Sequence, residues 1–232
     1  MISYHCDDVI ATITIDDGKV NALSLAVLAE LNAALDRAER DDAVVIIAGR
    51  DGVFSAGFDL PVLRGGGPDA LAMLRTGFEL AARLLAFPRP VVIACTGHAV
   101  AMGVFLLLSG DYRVGAEGPY KITANEVAIG LTMPRAAVEI CRQRLTPAHF
   151  NRAVVLAETF SPADSVAAGF LDRTVEAHTV HDAARGAAAQ LAALDRSAHE
   201  ATKRRARALA LSAIRSAIDA DVAAYPVQAP AS

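Results

Sequence analysis

The chain has 232 residues, with 22 Lys+Arg against 26 Asp+Glu for a formal net charge of −4, and 53% of it is hydrophobic. This is enough chain to bury a sizeable core, so a soluble globular protein of one large domain, or one domain with an appendage, is expected. The acidic balance speaks against a nucleic-acid surface, and the longest apolar run, Ala99 to Leu108, is about half of what a bilayer crossing needs, so no membrane span is expected.

The first strand signal is residues 9–15, where Val9, Ala11, Ile13 and Ile15 alternate with Thr12 and Thr14. Asp16-Asp17-Gly18 then turns the chain. From Ser24 to about Arg40, Leu28, Leu31, Leu35 and Ala38 recur at steps of three and four, which predicts an amphipathic helix with Ser24 as N-cap. Residues 43–48 (AVVIIA) form a short unbroken apolar run that suits a strand covered on both faces. Residues 49–61 are rich in glycine and small side chains and read as a loop just after that buried strand, where α/β sheets place ligands. Gly65-Gly66-Gly67-Pro68 reads as a flexible loop, since a phosphate cradle would want a preceding strand and a GK[ST] ending. A second helical pattern follows at Leu71, Leu74, Phe78, Ala81 and Leu85.

The stretch from Val91 to Val114 is the centre of the sequence. Val91, Val92 and Ile93 give way to small residues and then to an apolar helix start, and a helix N-terminus offers unpaired N–H groups that an anionic or carbonyl oxygen can approach. Strands are expected at residues 111–115 and 120–123, and helices from Pro134 through Leu145 and from Thr146-Pro147 onward. A capping box at Ser161 to Asp164 opens a helix that stops at Gly169. A strand at residues 171–175 precedes an Ala-rich helix over about 178–194. Residues 198–225 form one long helix or two, and residues 226–232 a frayed tail. Strand, loop and helix units recur loosely through residues 9–175, without a clear repeat.

Cys6, Cys95 and Cys141 have no metal-ligand spacing and are odd in number, and the N-terminus MISYHCDD lacks a basic-then-apolar leader pattern, so a reduced, cytoplasmic protein without a metal is expected. The basic cluster at Lys203 to Arg207 suits either a solvated helix face or a phosphate contact. Read alone, Glu126 is a glutamate at a strand end.

Three segments in order change that reading. Residues 54–60 (FSAGFDL), 96–103 (TGHAVAMG) and 125–130 (NEVAIG) resemble the FSAGxDL, NGxAxGGG and PExxxG motifs of the crotonase superfamily, the enoyl-CoA hydratase and isomerase family. Weaker matches at residues 21–24 and 167–172 extend the resemblance to about residues 5–205. It implies an α/β fold, a spiral of strand-strand-helix (ββα) units over residues 1–195, with a C-terminal helical region and tail over residues 196–232. It implies a homotrimer or hexamer that binds acyl-CoA, with coenzyme A as part of the substrate and no separate cofactor. Carried over by position, the backbone N–H groups of Phe58 and Met102 would hold an enolate oxygen, and Glu126 would be the acid or base. Lys19, Val20, Ala22, Ala56 and Gly57 would line the CoA portion, and Lys203 matches a lysine near CoA phosphates at a subunit boundary.

Two departures stand out. Met102 replaces the middle glycine of the turn, which is compatible with a backbone donor if the side chain points away. Phe105 stands where hydratases of the family carry a second glutamate, which favours isomerisation of a 3-enoyl thioester by Glu126 alone. Hydration with a substitute acid, Glu139 being nearest in sequence, and acyl-CoA binding without catalysis are the alternatives. His98 and Cys95 read as packing or hydrogen-bonding residues, and Asp59 and Asp111 as residues that fix backbone.

Overall fold

The computed structural model describes residues 1–225, so the tail at residues 226–232 lies outside the described residues. Strands β1 (Ile2–Asp7) and β2 (Ile10–Ile15) form a hairpin, and β3 (Ala22–Leu23) leads into helix α1 (Leu25–Arg40). Strands β4 (Val44–Ala48), β5 (Gly52–Ser55) and β6 (Gly57–Phe58) precede helices α2 (Leu60–Gly65) and α3 (Gly67–Ala86). Strands β7 (Val91–Cys95) and β8 (Gly97–Val100) lead into α4 (Met102–Leu108), and β9 (Tyr112–Ala116) and β10 (Ile122–Thr123) lead to a 3-10 turn at Val127–Ile129. Helices α5 (Arg135–Arg142), α6 (Pro147–Val154) and α7 (Pro162–Ala168) follow, then β11 (Arg173–Val175), α8 (Val180–Ala192) and α9 (Arg196–Ala224).

The strands form a six-stranded sheet in the order β1-β2-β4-β7-β9-β11, a three-stranded sheet β10-β8-β5 and the pair β3-β6. Apart from the β1-β2 hairpin, every pairing in these sheets is parallel. Each unit gives one strand to the large sheet and the next to a small sheet before its helix, so the chain advances as a spiral of ββα units. The central strands are apolar throughout because both faces are covered. Val45, Ile47, Val91 and Ile93 join the main core with α1, α3 and α4, while Val44, Ile46, Val92 and Ala94 pack on Val180, Ala184 and Ala188 of α8. Among the described residues, no helix is long and apolar enough to cross a membrane.

Local chemistry sets the helix ends. The Ser24 side chain accepts the Val27 N–H at the start of α1, and that of Ser161 accepts the Asp164 N–H at the start of α7, which Gly169 closes in a left-handed conformation. The C-terminal segment is one helix, opened by the Asp195 side chain on the Ala198 N–H. Its Leu211, Ile214, Ala217 and Ile218 enter the main core beside α3 and α5.

Several expected boundaries move. The first strand signal is the second arm of the hairpin, and Val9 is an exposed turn residue beside Asp8, whose φ is +54°. Residues 49–61 are not simply a loop, since β5, β6 and the start of α2 pair or pack there. The glycine run at residues 65–67 is a joint between α2 and α3, with Gly66 and Gly67 both at positive φ. The helix from Pro134 ends at Arg142, and the strands near residues 111, 120 and 171 begin at Tyr112, Ile122 and Arg173.

Candidate active site

The site begins where β6 meets the N-terminus of α4. Ser55 is buried, its Oγ donating to the Asn21 carbonyl at 2.8 Å and accepting the Gly57 N–H at 3.1 Å. Gly57 has φ +89°, and a Cβ there would lie 2.9 Å from the Val100 carbonyl oxygen and 3.0 Å from the Met102 nitrogen. Only glycine lets these two backbones come so close. At Gly103 an added Cβ would reach the Ser55 carbonyl oxygen at 2.4 Å, so α4 packs flush on β5.

Two N–H groups are left over. Leu23 stands opposite Phe58 in the β3-β6 ladder, and its carbonyl takes the Asp59 N–H at 3.4 Å, so the Phe58 N–H points away from β3. Met102 is the first residue of α4, whose Val104 and Phe105 N–H groups return to the Ala101 carbonyl, so the Met102 N–H has no intrahelical acceptor. The Met102 side chain is fully buried with its Cε toward Gly77 of α3, away from the cavity. The side chain that departs from the glycine motif therefore does not obstruct the turn. Ala101 holds φ +51° and ψ −124°, a conformation that glycine adopts more readily.

Phe58 and Ala101, the residue before Met102, line a cavity of about 720 Å³. Its wall is mainly apolar: Phe58, Leu63, Leu74, Phe78, Phe105, Ile129, Leu131 and Met133 line it, with Ala224 and Tyr225 from the C-terminal end. The Phe78 ring stands edge-on to Phe58 with centroids 6.1 Å apart, and lies 5.9 Å from that of Phe105. Leu63, Leu74 and Phe78 of this wall are supplied by α2 and α3.

Glu126 projects into this cavity just before the 3-10 turn. Its carbonyl accepts the Ile129 N–H at 3.1 Å and the Leu131 N–H at 2.9 Å, which fixes the backbone. Its side chain is almost wholly buried and Oε2 has no hydrogen-bond partner. Burial pushes the carboxyl from an ordinary 4.5 up to about 7. The neighbouring Asn125 lines the same cavity with its Oδ1 also buried and unpartnered. Asn125 fell within a recognised motif, but sequence reasoning gave it no role.

The expected CoA-side residues come together at one rim. Asp17 accepts the N–H groups of Lys19, Asn21 and Ala22, while the fully buried Asn21 donates to the carbonyls of Ile15 and Phe54. The Ala56 N–H donates to the Val20 carbonyl at 2.9 Å, and Ala22 stands opposite Gly57, so Lys19, Val20, Ala22, Ala56 and Gly57 adjoin. Lys203 is placed elsewhere. It is only 7% exposed, its Nζ lies 2.6 Å from Asp111 Oδ2 and donates to the Arg89 carbonyl, and burial lowers its pKa to about 8. It does not line the cavity: the partly buried Asp111 carboxylate holds it.

The remaining candidates have settled partners. His98 Nδ1 accepts the Lys121 N–H at 2.9 Å, and Cys95 is buried with its thiol pushed up to about 12. Asp59 caps α2, and Asp111 accepts the Val91 N–H. Glu139 pairs with Arg142 at 3.3 Å and is absent from the cavity wall, so it is no substitute acid there. The second carboxylate in the wall is Asp221 of α9, which had no place in the sequence reading. Its two oxygens take the Arg135 and Ala136 N–H groups at 3.0 Å each. Among the described residues, the chemistry available is therefore one free carboxyl, two backbone donors and an apolar chamber.

Comparison with known proteins gives the family. The chain matches the family described as enoyl-CoA hydratase/isomerase over residues 6–227. It is 32% identical over 218 residues to human mitochondrial enoyl-CoA delta isomerase 1, covering 92% of this chain and 72% of that protein. A solved structure of an enoyl-CoA hydratase from Mycobacterium marinum superposes with a TM-score of 0.94 at 51% identity, covering 97% of this chain and 99% of that chain. An enoyl-CoA isomerase from Mtb gives 0.93 at 52% identity, covering 97% and 98%. The chain belongs to the enoyl-CoA hydratase/isomerase family and is a crotonase-type enzyme.

Proposed function

We propose that this enzyme converts a 3-enoyl-CoA thioester to its conjugated 2-enoyl isomer. The observation that carries the reading is a single free carboxyl in the cavity among the described residues, that of Glu126, with Phe105 in the wall rather than a second acid. The Glu126 carboxylate removes a proton from C2, and the electron pair moves onto the thioester oxygen to give a dienolate. The Phe58 and Met102 N–H groups hold that oxygen; fixed donors of this kind contribute about 3–4 kcal/mol each where measured. The neutral acid then returns the proton to C4, and the double bond settles between C2 and C3. A carboxyl raised to about 7 is suited to both halves of the transfer. Lys19, Val20, Ala22 and Ala56 border the CoA portion, and the apolar wall takes the acyl chain.

The same reading makes the enzyme a cytoplasmic homotrimer or hexamer, supported by its family and by three unpaired cysteines. The test is to supply 3-enoyl-CoA and 2-enoyl-CoA separately and follow the ultraviolet absorbance of the conjugated thioester. A rise with the first is expected. A fall with the second alone would establish a hydratase instead, and silence with both while acyl-CoA binds would leave a binding protein.

A further inference from the structure

The Asp221 side chain accepts backbone N–H groups 85 and 86 residues away, at the start of the helix that follows the Glu126 turn. Helix α5 begins at Pro134, which supplies no side-chain cap, so the Arg135 and Ala136 N–H groups need acceptors from elsewhere. Asp221 provides both, one oxygen to each at 3.0 Å, and its Oδ1 also lies 3.3 Å from the Arg135 guanidinium. The Asp221 side chain is 9% exposed, so its geometry is enforced by packing, and its negative charge sits at the favourable end of the helix dipole. Arg135 is 61% exposed, which leaves the two backbone contacts as the firmer part of this arrangement.

One physical path leads from that cap to Glu126. Along the chain, the Leu131 N–H closes a turn onto the Glu126 carbonyl, and only residues 132–134, all in the cavity wall, separate this turn from the capped end of α5. Cys141 of α5 is fully buried, its thiol pushed up mainly by burial and further by the charge of Glu126, and so kept neutral. Cys141 is the titratable group facing Glu126 from α5, and Arg135 and Asp221 are the other charged residues of the wall.

We propose that Asp221 is a positioning residue for Glu126: by capping α5 from the C-terminal helix, it fixes residues 126–134 and keeps the Glu126 carboxyl in a dry chamber. This rests on the acid/base role given to Glu126 above. Without the cap, the two α5 N–H groups must find water, the segment loosens, and solvent reaches the carboxyl.

The experiment is the pH dependence of kcat/KM for 3-enoyl-CoA in the full chain, with Glu126→Gln, Asp221→Ala and Asp221→Asn compared with the parent. The acid limb of the parent should fall near about 7, where Glu126 titrates. In Asp221→Ala it should move at least one pH unit toward the ordinary carboxylate value, with kcat reduced about tenfold and KM changed less than threefold. Asn keeps one acceptor, so Asp221→Asn should shift the limb by about half as much. Simple loss of folded enzyme lowers the rate without moving the limb. A limb in Asp221→Ala that coincides with the parent's, while Glu126→Gln is inactive, overturns the proposal and leaves the reaction intact. If Glu126→Gln keeps its activity, the reading of Glu126 has failed instead. Should Asp221→Ala not fold, Asp221→Asn decides, and coincidence of its limb with the parent's overturns the proposal.

Discussion

Burial makes Glu126 useful as a proton carrier and costly to the fold. Its carboxyl is held near about 7 against 4.5 when exposed, so between those values the folded chain keeps a proton that the unfolded chain has lost. Stability is therefore full at low pH and declines as pH rises toward about 7, by roughly 3 kcal/mol. Glu126→Gln removes the ionisation and should be more stable than the parent at about pH 8, by about 1–3 kcal/mol, with the two nearly equal at about pH 4.5. Urea unfolding at both values checks this, and a difference independent of pH would contradict it. Glu126 itself was legible from its motif, whereas its unpartnered oxygen depends on the turn at residues 126–131, which no local pattern discloses.

Among the elements, legibility followed length. Helix α1 could be read from four apolar repeats and Ser24, and the buried strands β4 and β7 from unbroken β-branched runs. The two-residue strands β3 and β6 could not, because they exist through pairing with each other across the chain rather than through their own composition. The site depends on one of them, β6, brought against α4 at Gly57. Gly57→Ala would place a Cβ 2.9 to 3.0 Å from Val100, Ala101 and Met102 at a φ that disfavours alanine. The expected result is a fall in kcat of about 10²–10³, the scale of a lost oxyanion donor, with a much smaller change in acyl-CoA affinity. Parallel measurement of kcat and Kd would show this, and full activity would mean that the close approach is dispensable.

At the scale of the molecule, the C-terminal helix contributes what sequence order hides. Its apolar face enters the main core, its far end reaches the cavity through Asp221 and Ala224, and Lys203 is spent on Asp111. The motif match that set Lys203 beside CoA carries no information about its ion pair with Asp111. Strand and helix units were legible only as loosely recurring, the spiral followed from the motif resemblance, and of the motif residues Phe58 and Glu126 both line the cavity. The central claim is that Glu126 alone moves the proton there. The most direct measurement is the rate of conjugated-thioester formation from 3-enoyl-CoA by the parent and by Glu126→Gln, with acyl-CoA binding measured on both. A loss of about 10²–10⁴ in rate with binding preserved is predicted; an unchanged rate would contradict the account.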